Sequence, residues 1–326
     1  MKILVTGGAG YIGSHFLKEV KKSGEFNSED ILIVDNLSSG NEKNIIFGNL
    51  VNIDLRNKQD ILKVVSEFKP DLIVHFAAFI SVPESVDKPT MYYENNFIGS
   101  FNLINAAVKN NVSKFILSST AAVYGIPKEI PIKENVILKP INPYGNSKKM
   151  VEELLRDVKI SKTEFNYACL RYFNVAGNDP ELEIGNRQKH FHNLIPIILD
   201  RVKNNNLEIN IFGNDWNTPD KTCIRDYIHV TDLANAHMKV IPLLEDNSYT
   251  FNVGYGKGSS VIEVIDAIDK VLNIKIKRNF VVRRKGDPEQ LIADSSLLQN
   301  LTDWKPLYDN LNIIVKTAWD WENKNL

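Results

Sequence analysis

The sequence is poor in cysteine, with only Cys169 and Cys223 among 326 residues. Two thiols cannot build a disulfide framework or a cysteine-held zinc cluster. Cys169 sits in an apolar run and reads as a buried, inert thiol. No charge of one sign is in excess: 39 Lys and Arg face 40 Asp and Glu, for a net charge of −1. That balance argues against a nucleic-acid binder, whose footprint is usually basic, and against a polybasic membrane-surface protein. No apolar run approaches the roughly 18 residues of a membrane span. The apolar start, Met1 to Thr6, is too short for the h-region of a signal peptide. A reducing, cytoplasmic setting is the expectation. Glycine (17) and proline (13) are near average, so no low-complexity or collagen-like class fits.

What is present is an ordinary globular composition, 43% hydrophobic and 24% charged. At roughly 150 residues per domain, the length predicts two domains. Short apolar runs alternate with helical spacings through the first half. Ile3–Val5, Ile31–Val34, Leu72–Phe76 and Phe115–Leu117 are the runs; Tyr11 to about Lys22, Ile61–Phe68 and Tyr92–Asn110 carry helical periodicity. Continuous short runs fit strands buried on both faces of a parallel sheet. The alternation predicts a doubly wound α/β fold of Rossmann type. After about residue 174 the rhythm loosens. Residues 178–192 and 213–222 read as loops, 194–203 as a helix and 207–212 as a strand. Ser260 and Glu263 match a capping box ahead of Val264–Leu272. With no disordered linker evident, the second domain is expected to pack on the first around a ligand cleft.

Gly7, Gly8, Gly10 and Gly13 follow the first strand and open the first helix. In that context glycines let the backbone turn sharply, approach a pyrophosphate and pack helix on strand, and the helix N-terminus offers free N–H groups to phosphate. Asp35 ends the second strand at the distance expected for a carboxylate that accepts hydrogen bonds from an adenosine ribose. It would repel a 2′-phosphate, and Asn36 follows instead of an Arg, so the expected cofactor is NAD over NADP. Asp54 is a candidate adenine contact, with a loop-capping role an equal alternative.

Asn142 and Pro143 suit the N-cap and first position of a helix. Tyr144 and Lys148 then share one helix face. A phenol is a poor base at neutral pH, and a neighbouring ammonium favours its phenolate. Tyr-x-x-x-Lys alone is a weak motif. It gains weight from Ser118-Ser119-Thr120, which ends the fourth run, where ligands sit in open α/β sheets. Thr120 is the candidate hydroxyl for a substrate oxygen. Ser118 reads as a turn residue.

With these segments, the sequence resembles the UDP-hexose 4-epimerases (UDP-glucose 4-epimerases) of the extended short-chain dehydrogenase/reductase superfamily. The resemblance runs nearly end to end. It includes the segments at 34–37, 75–78, 92–96, 170–174, 211–213, 225–230 and 283–287. It implies an isomerase in which Tyr144 moves the proton of the sugar 4-hydroxyl, Thr120 assists, and Lys148 supports both phenolate and nicotinamide ribose. It implies further cofactor contacts from Tyr11, Ile12, Leu55, Phe76, Ala77, Ala78, Asn95 and Phe173. For the UDP-sugar it implies Asn174, Asn193, Ile211, Phe212, Arg225, Arg284 and Asp287. Guanidinium groups suit the diphosphate because they grip its oxygens bidentately. The implied domains are a cofactor domain of 1–174 with a returning segment near 226–248, and a smaller C-terminal α/β UDP-sugar domain of 175–225 and 249–326. A homodimer follows from the resemblance alone, and no metal is expected.

Two positions depart from the family pattern. Ile80 stands where many members have a cofactor-approaching Lys. Leu291 stands where some carry a Tyr that narrows the sugar pocket, which is compatible with N-acetylated sugars. Dehydratases and decarboxylases of this fold need an extra acid or base before Val-Tyr-Gly, and this chain has Ala121 and Ala122 there. A UDP-glucuronate 4-epimerase needs only another cation near the sugar carboxylate. A catalytically silent NAD sensor has no need of Thr120, Tyr144 and Lys148 together.

Overall fold

A computed structural model describes residues 1–188, 191–284 and 287–324. Its larger layer is a parallel sheet of seven strands: β1 (Ile3–Thr6), β2 (Ile31–Asp35), β3 (Asn49–Asn52), β4 (Leu72–His75), β5 (Lys114–Thr120), β6 (Asn166–Tyr172) and, later in the chain, β10 (Tyr249–Val253). The strand order is β10-β6-β5-β4-β1-β2-β3. The winding reverses between β1 and β4, so the loops after β1 and β4 part there and leave a crevice at the C-terminal sheet edge.

Alternation along the strands divides the core in two. Ile3, Val5, Ile31, Ile33, Leu72 and Val74 bury on one face, while Leu4, Val34, Ile73, Phe115 and Leu117 bury on the other. The first face is covered by α1 (Tyr11–Ser23) and α8 (Val230–Val240) through Phe16, Leu17, Val20, Leu233 and Val240. The second is covered by α2 (Lys58–Phe68), α5 (Gly99–Lys109) and α6 (Pro143–Ser161) through Ile61, Val65, Leu103, Val151 and Leu155. Each such aliphatic side chain contributes about 1.5–3 kcal/mol by leaving water. The apolar runs are therefore continuous because both faces of this sheet are covered.

The expected long helix from Tyr92 is interrupted. Two short helices, α3 (Val82–Asp87) and α4 (Pro89–Tyr92), lead into a π-helical stretch, Tyr93–Ile98, before α5 begins. The wider π turn aims Asn96 inward, where it bonds the backbone of Phe79 and the Ser147 hydroxyl. Such turns commonly mark functional sites.

The second layer group is smaller. β7 (Asn174–Ala176), β9 (Ile224–His229), β11 (Gly258–Ser260) and β13 (Gln290–Leu291) form one sheet; β8 (Glu208–Phe212) and β12 (Lys277–Val281) form a two-stranded one. Around them lie α7 (Leu194–Lys203), α9 (Val261–Leu272), α10 (Ser296–Leu301) and α11 (Leu311–Lys324). The Ser260–Glu263 capping box is present at the start of α9. The boundary expected at residue 249 moves, because 249–253 pairs with β6 in the large sheet. The segment from 226 also begins in β9, inside the smaller sheet, before α8 returns to α1.

Candidate functional site

The glycine turn is built for close approach. Gly7 has φ +71°, and a Cβ on it would lie 2.6 Å from the Ala77 nitrogen. A Cβ on Gly13 would lie 2.3 Å from the Gly7 carbonyl oxygen. Gly10 caps α1 without a side-chain bond, so the first N–H groups of the helix face the crevice. That crevice is a cleft of about 480 Å³. Its lining includes Gly7, Gly10, Tyr11, Ile12 and Gly13 from the turn, and Phe76, Ala77 and Ala78 from beyond β4. A groove of this size, lined by a glycine turn at a helix N-terminus, fits an extended dinucleotide.

Acidic groups mark one end. Asp35 accepts the N–H groups of Ala9 at 3.0 Å and Leu37 at 2.9 Å, and burial pushes its carboxyl upward. Asn36 donates to Asp54 at 2.9 Å. Asp54 is also gripped by Arg56 through Nε at 2.9 Å and Nη2 at 2.7 Å, which holds its carboxyl well below the usual range. Asp54 is thus both a loop residue and a wall of the cleft, beside Leu55. Asn95, on the π turn, lines the cleft too, as does Ile80.

At the other end stands the Tyr144 face of α6. Asn142 caps this helix by accepting the Gly145 N–H at 2.8 Å, with Pro143 in the first position. Lys148 is buried and donates its Nζ to the Ser118 carbonyl oxygen at 2.8 Å. Burial lowers its pKa to about 8, opposed by the negative charge of Glu152 one turn on. Tyr144 is raised by burial, while a hydrogen bond from Thr120 pulls it back. The protein alone therefore favours the neutral phenol, contrary to the expected lowering by Lys148, because desolvation of the phenolate outweighs its local partners. Thr120 also accepts the Ala122 N–H at 3.1 Å, which fixes its hydroxyl. Behind them, Glu152 receives Arg171 Nη2 at 2.7 Å and the Ser119 hydroxyl, tying α6 to β5 and β6.

The residues expected at a sugar nucleotide divide. Arg225, Arg284 and Asp287 all act electrostatically on the Cys223 thiol, which burial pushes up. The Arg284 guanidinium lies 3.8 Å over the Phe212 ring. Asn174 is half-buried on β7, and Asn193 caps α7 with its side chain exposed and uncommitted to the helix. Ile211 lies on β8, where strand alternation turns its side chain into the core with Ile195 and Ile265. Phe173 is buried with Ala121, Val123 and Tyr124, against Leu291. Lys285 and Gly286 of the 283–287 segment lie outside the described residues.

Sequence reasoning missed part of the cleft. Ser118, read as a turn residue, lines it and holds Lys148. The loop Leu37–Asn41 closes one side, shaped by the positive φ of Leu37 and the Asp35 bond to its N–H. Arg187 and Gln188 approach from the second layer. The polar run after β2 was the available signal for the first loop; Arg187 had none. No group of three His, Cys, Asp or Glu able to hold a metal occurs among the described residues. No helix among them is long and apolar enough to cross a membrane.

Residues 3–254 match the model of the NAD dependent epimerase/dehydratase family. The UDP-glucose 4-epimerase of Halalkalibacterium halodurans is 41% identical, over 100% of this chain and 96% of that one. A UDP-glucose 4-epimerase from Stenotrophomonas maltophila, solved with bound NAD and formylated UDP-arabinopyranose, superposes with a TM-score of 0.93 at 34% identity, covering 100% of this chain and 98% of that one. The UDP-Glc/GlcNAc 4-epimerase of Campylobacter jejuni superposes with a TM-score of 0.85 at 44% identity, covering 99% of each chain.

Proposed function

The chain belongs to the NAD dependent epimerase/dehydratase family, and from that premise we propose that it is a UDP-glucose 4-epimerase, an isomerase that inverts C4 of a UDP-hexose reversibly on bound NAD. One observation carries this reading. The groove that fits a dinucleotide ends at Lys148, on the same helix face as Tyr144, with Thr120 bonded to that phenol.

When bound, NAD supplies a hydride acceptor at C4 and a positive charge that offsets the burial of the Tyr144 phenolate. The rest is done by side chains. Tyr144 Oη takes the proton of the 4-hydroxyl and returns it to that same oxygen once the sugar has turned over. Thr120 Oγ orients that hydroxyl and shares the proton. Lys148, fixed by the Ser118 carbonyl, holds the cofactor ribose and a cation near Tyr144. Gly7 to Gly13, Asp35 and Asn36 hold the dinucleotide. Arg225 and Arg284 take the diphosphate of the sugar nucleotide, with Asp287 beside them. Anchoring by the nucleotide leaves the sugar free to turn.

Leu291 supports a wider sugar range. It packs against the Phe173 cluster and carries no ring or hydroxyl into that space, so we read the UDP-GlcNAc/UDP-GalNAc pair as a second substrate pair. We also read the protein as a cytoplasmic homodimer. Both cysteines are free thiols, which suits a reducing compartment. Ile98 and Phe101 leave apolar surface exposed beside the π turn, which suits burial against a second copy. Purified protein is expected to contain bound nicotinamide and to convert UDP-galactose to UDP-glucose with no added reductant. Absence of both would overturn the assignment.

A further inference from the structure

Among the described residues lining the dinucleotide groove, the Lys and Arg side chains are Lys148, at the catalytic end, and Arg187. Two carboxylates, Asp35 and Asp54, line the same groove. A diphosphate lying there carries two negative charges, and the neutral N–H groups at the start of α1 meet them only in part. Arg187 is placed to supply the missing charge. Its Nε donates to Asn44 Oδ1 at 3.1 Å, and its guanidinium lies 4.7 Å from the Trp321 ring centroid. Asn44 is buried and grips the same segment a second time, through Nδ2 to the Gly185 carbonyl oxygen at 3.0 Å. From Asn44 the backbone leads directly to the glycine turn: Asn44 N–H bonds Asn41 O at 2.9 Å, and Asn41 N–H bonds Ala9 O at 3.0 Å. Nε is committed to Asn44, and Arg187 itself lines the groove.

The segment that carries Arg187 is strapped to the cofactor layer. Tyr11 donates its hydroxyl to Gly177 O at 2.5 Å. The buried Lys18 reaches Asp179 at 2.6 Å, Glu181 at 2.9 Å and Glu183 at 3.1 Å. Asp179 in turn accepts the Glu183 N–H at 2.8 Å. These bonds tie 177–183 to α1, and Asn44 holds Gly185 and Arg187, so the guanidinium is preorganised.

We propose that Arg187 binds the diphosphate of the dinucleotide cofactor and slows its release. The inference rests on the groove being a dinucleotide site and is independent of the epimerase chemistry. It is tested on the holoenzyme by exchange of bound NAD against excess labelled NAD. Arg187→Gln removes a charge-assisted hydrogen bond, so exchange is expected to quicken roughly ten- to a hundredfold. Arg187→Lys keeps the charge but loses the fork that bonds Asn44, so it should retain most of the slow exchange. Exchange from the wild type should also accelerate with salt more steeply than from the Gln variant.

Equal exchange rates in wild type and Arg187→Gln would overturn the proposal. So would an Arg187→Lys protein as fast as the Gln variant, since that marks a role in holding the segment and not in meeting charge. If the Gln variant does not fold, Arg187→Lys against the wild type decides: exchange near the wild-type rate supports the charge role, and exchange quickened roughly tenfold or more overturns it. Wild-type protein without NAD would sink this inference together with the cofactor reading. NAD present without epimerase turnover would sink only the epimerase.

Discussion

Lys148 donates its ammonium to the carbonyl oxygen of Ser118 at 2.8 Å. This one bond joins the helix that carries Tyr144 to the end of the strand that carries Thr120. It places a buried cation between the dinucleotide groove and the proton-handling side chains. Several consequences can be measured.

Tyr144→Phe keeps the ring and removes the hydroxyl that exchanges the proton. Loss of a positioned acid–base group typically costs about 10²–10⁴ in rate. Turnover of UDP-galactose should fall by that much, while the NAD content of the purified protein stays at the wild-type level. Retained turnover would refute the role given to Tyr144.

Lys148 has a folded pKa lowered to about 8 from an ordinary value near 10.5. Below pH 8 both folded and unfolded chains hold the proton, and the folded one carries the full cost of a buried charge. Between about pH 8 and 10.5 the folded chain gives the proton up first, so its stability rises with pH relative to a variant without the amine. Urea unfolding of wild type and Lys148→Met at pH 7, 9 and 10 should show that difference grow by up to about 3 kcal/mol. A constant difference would mean that Lys148 does not titrate early.

His15 and His237 are buried, and burial lowers each to about 4. Unfolded histidines take up protons near pH 6.5, whereas these stay neutral in the folded chain. The stability they contribute is present above about pH 6.5 and is lost as pH falls towards 4. His237→Gln keeps a polar partner for the Tyr172 hydroxyl and removes one titrating group. Its stability should fall less between pH 7 and 4.5 than the wild type's. Parallel pH curves would show that His237 contributes nothing to the acid sensitivity.

Glu152 and Arg171 form a buried pair at 2.7 Å. Glu152→Gln strands the guanidinium without its counter-charge, at a cost of about 3–5 kcal/mol. Glu152→Gln with Arg171→Met removes both charges and should recover part of that loss in denaturant unfolding. Additive losses would show that the two residues do not act as a pair.

The local features were legible in the residues. The glycine turn, the caps of α6 and α9, the paired face of Tyr144 and Lys148, and the buried strands all follow from short-range pattern, because each depends on neighbours within a turn or a strand. The π turn at Tyr93–Ile98 was not legible, since its helical spacing differs by one residue from the pattern that predicts a plain α-helix. β3 escaped notice because it is an edge strand with exposed Asn49 and Asn52, lacking a continuous apolar run.

By itself the sequence determined the α/β alternation, the dinucleotide cradle and the family pattern that carries them. Those are properties of residue type at fixed spacing. Only the tertiary structure decided which way Ile211 and Phe173 face, that residues 249–253 join the large sheet, and that Arg187 reaches Asn44, some 140 residues away in the chain. These depend on which surfaces meet when the layers close. The energy that selects them lies in long-range burial and hydrogen bonding, which no local window of the chain contains.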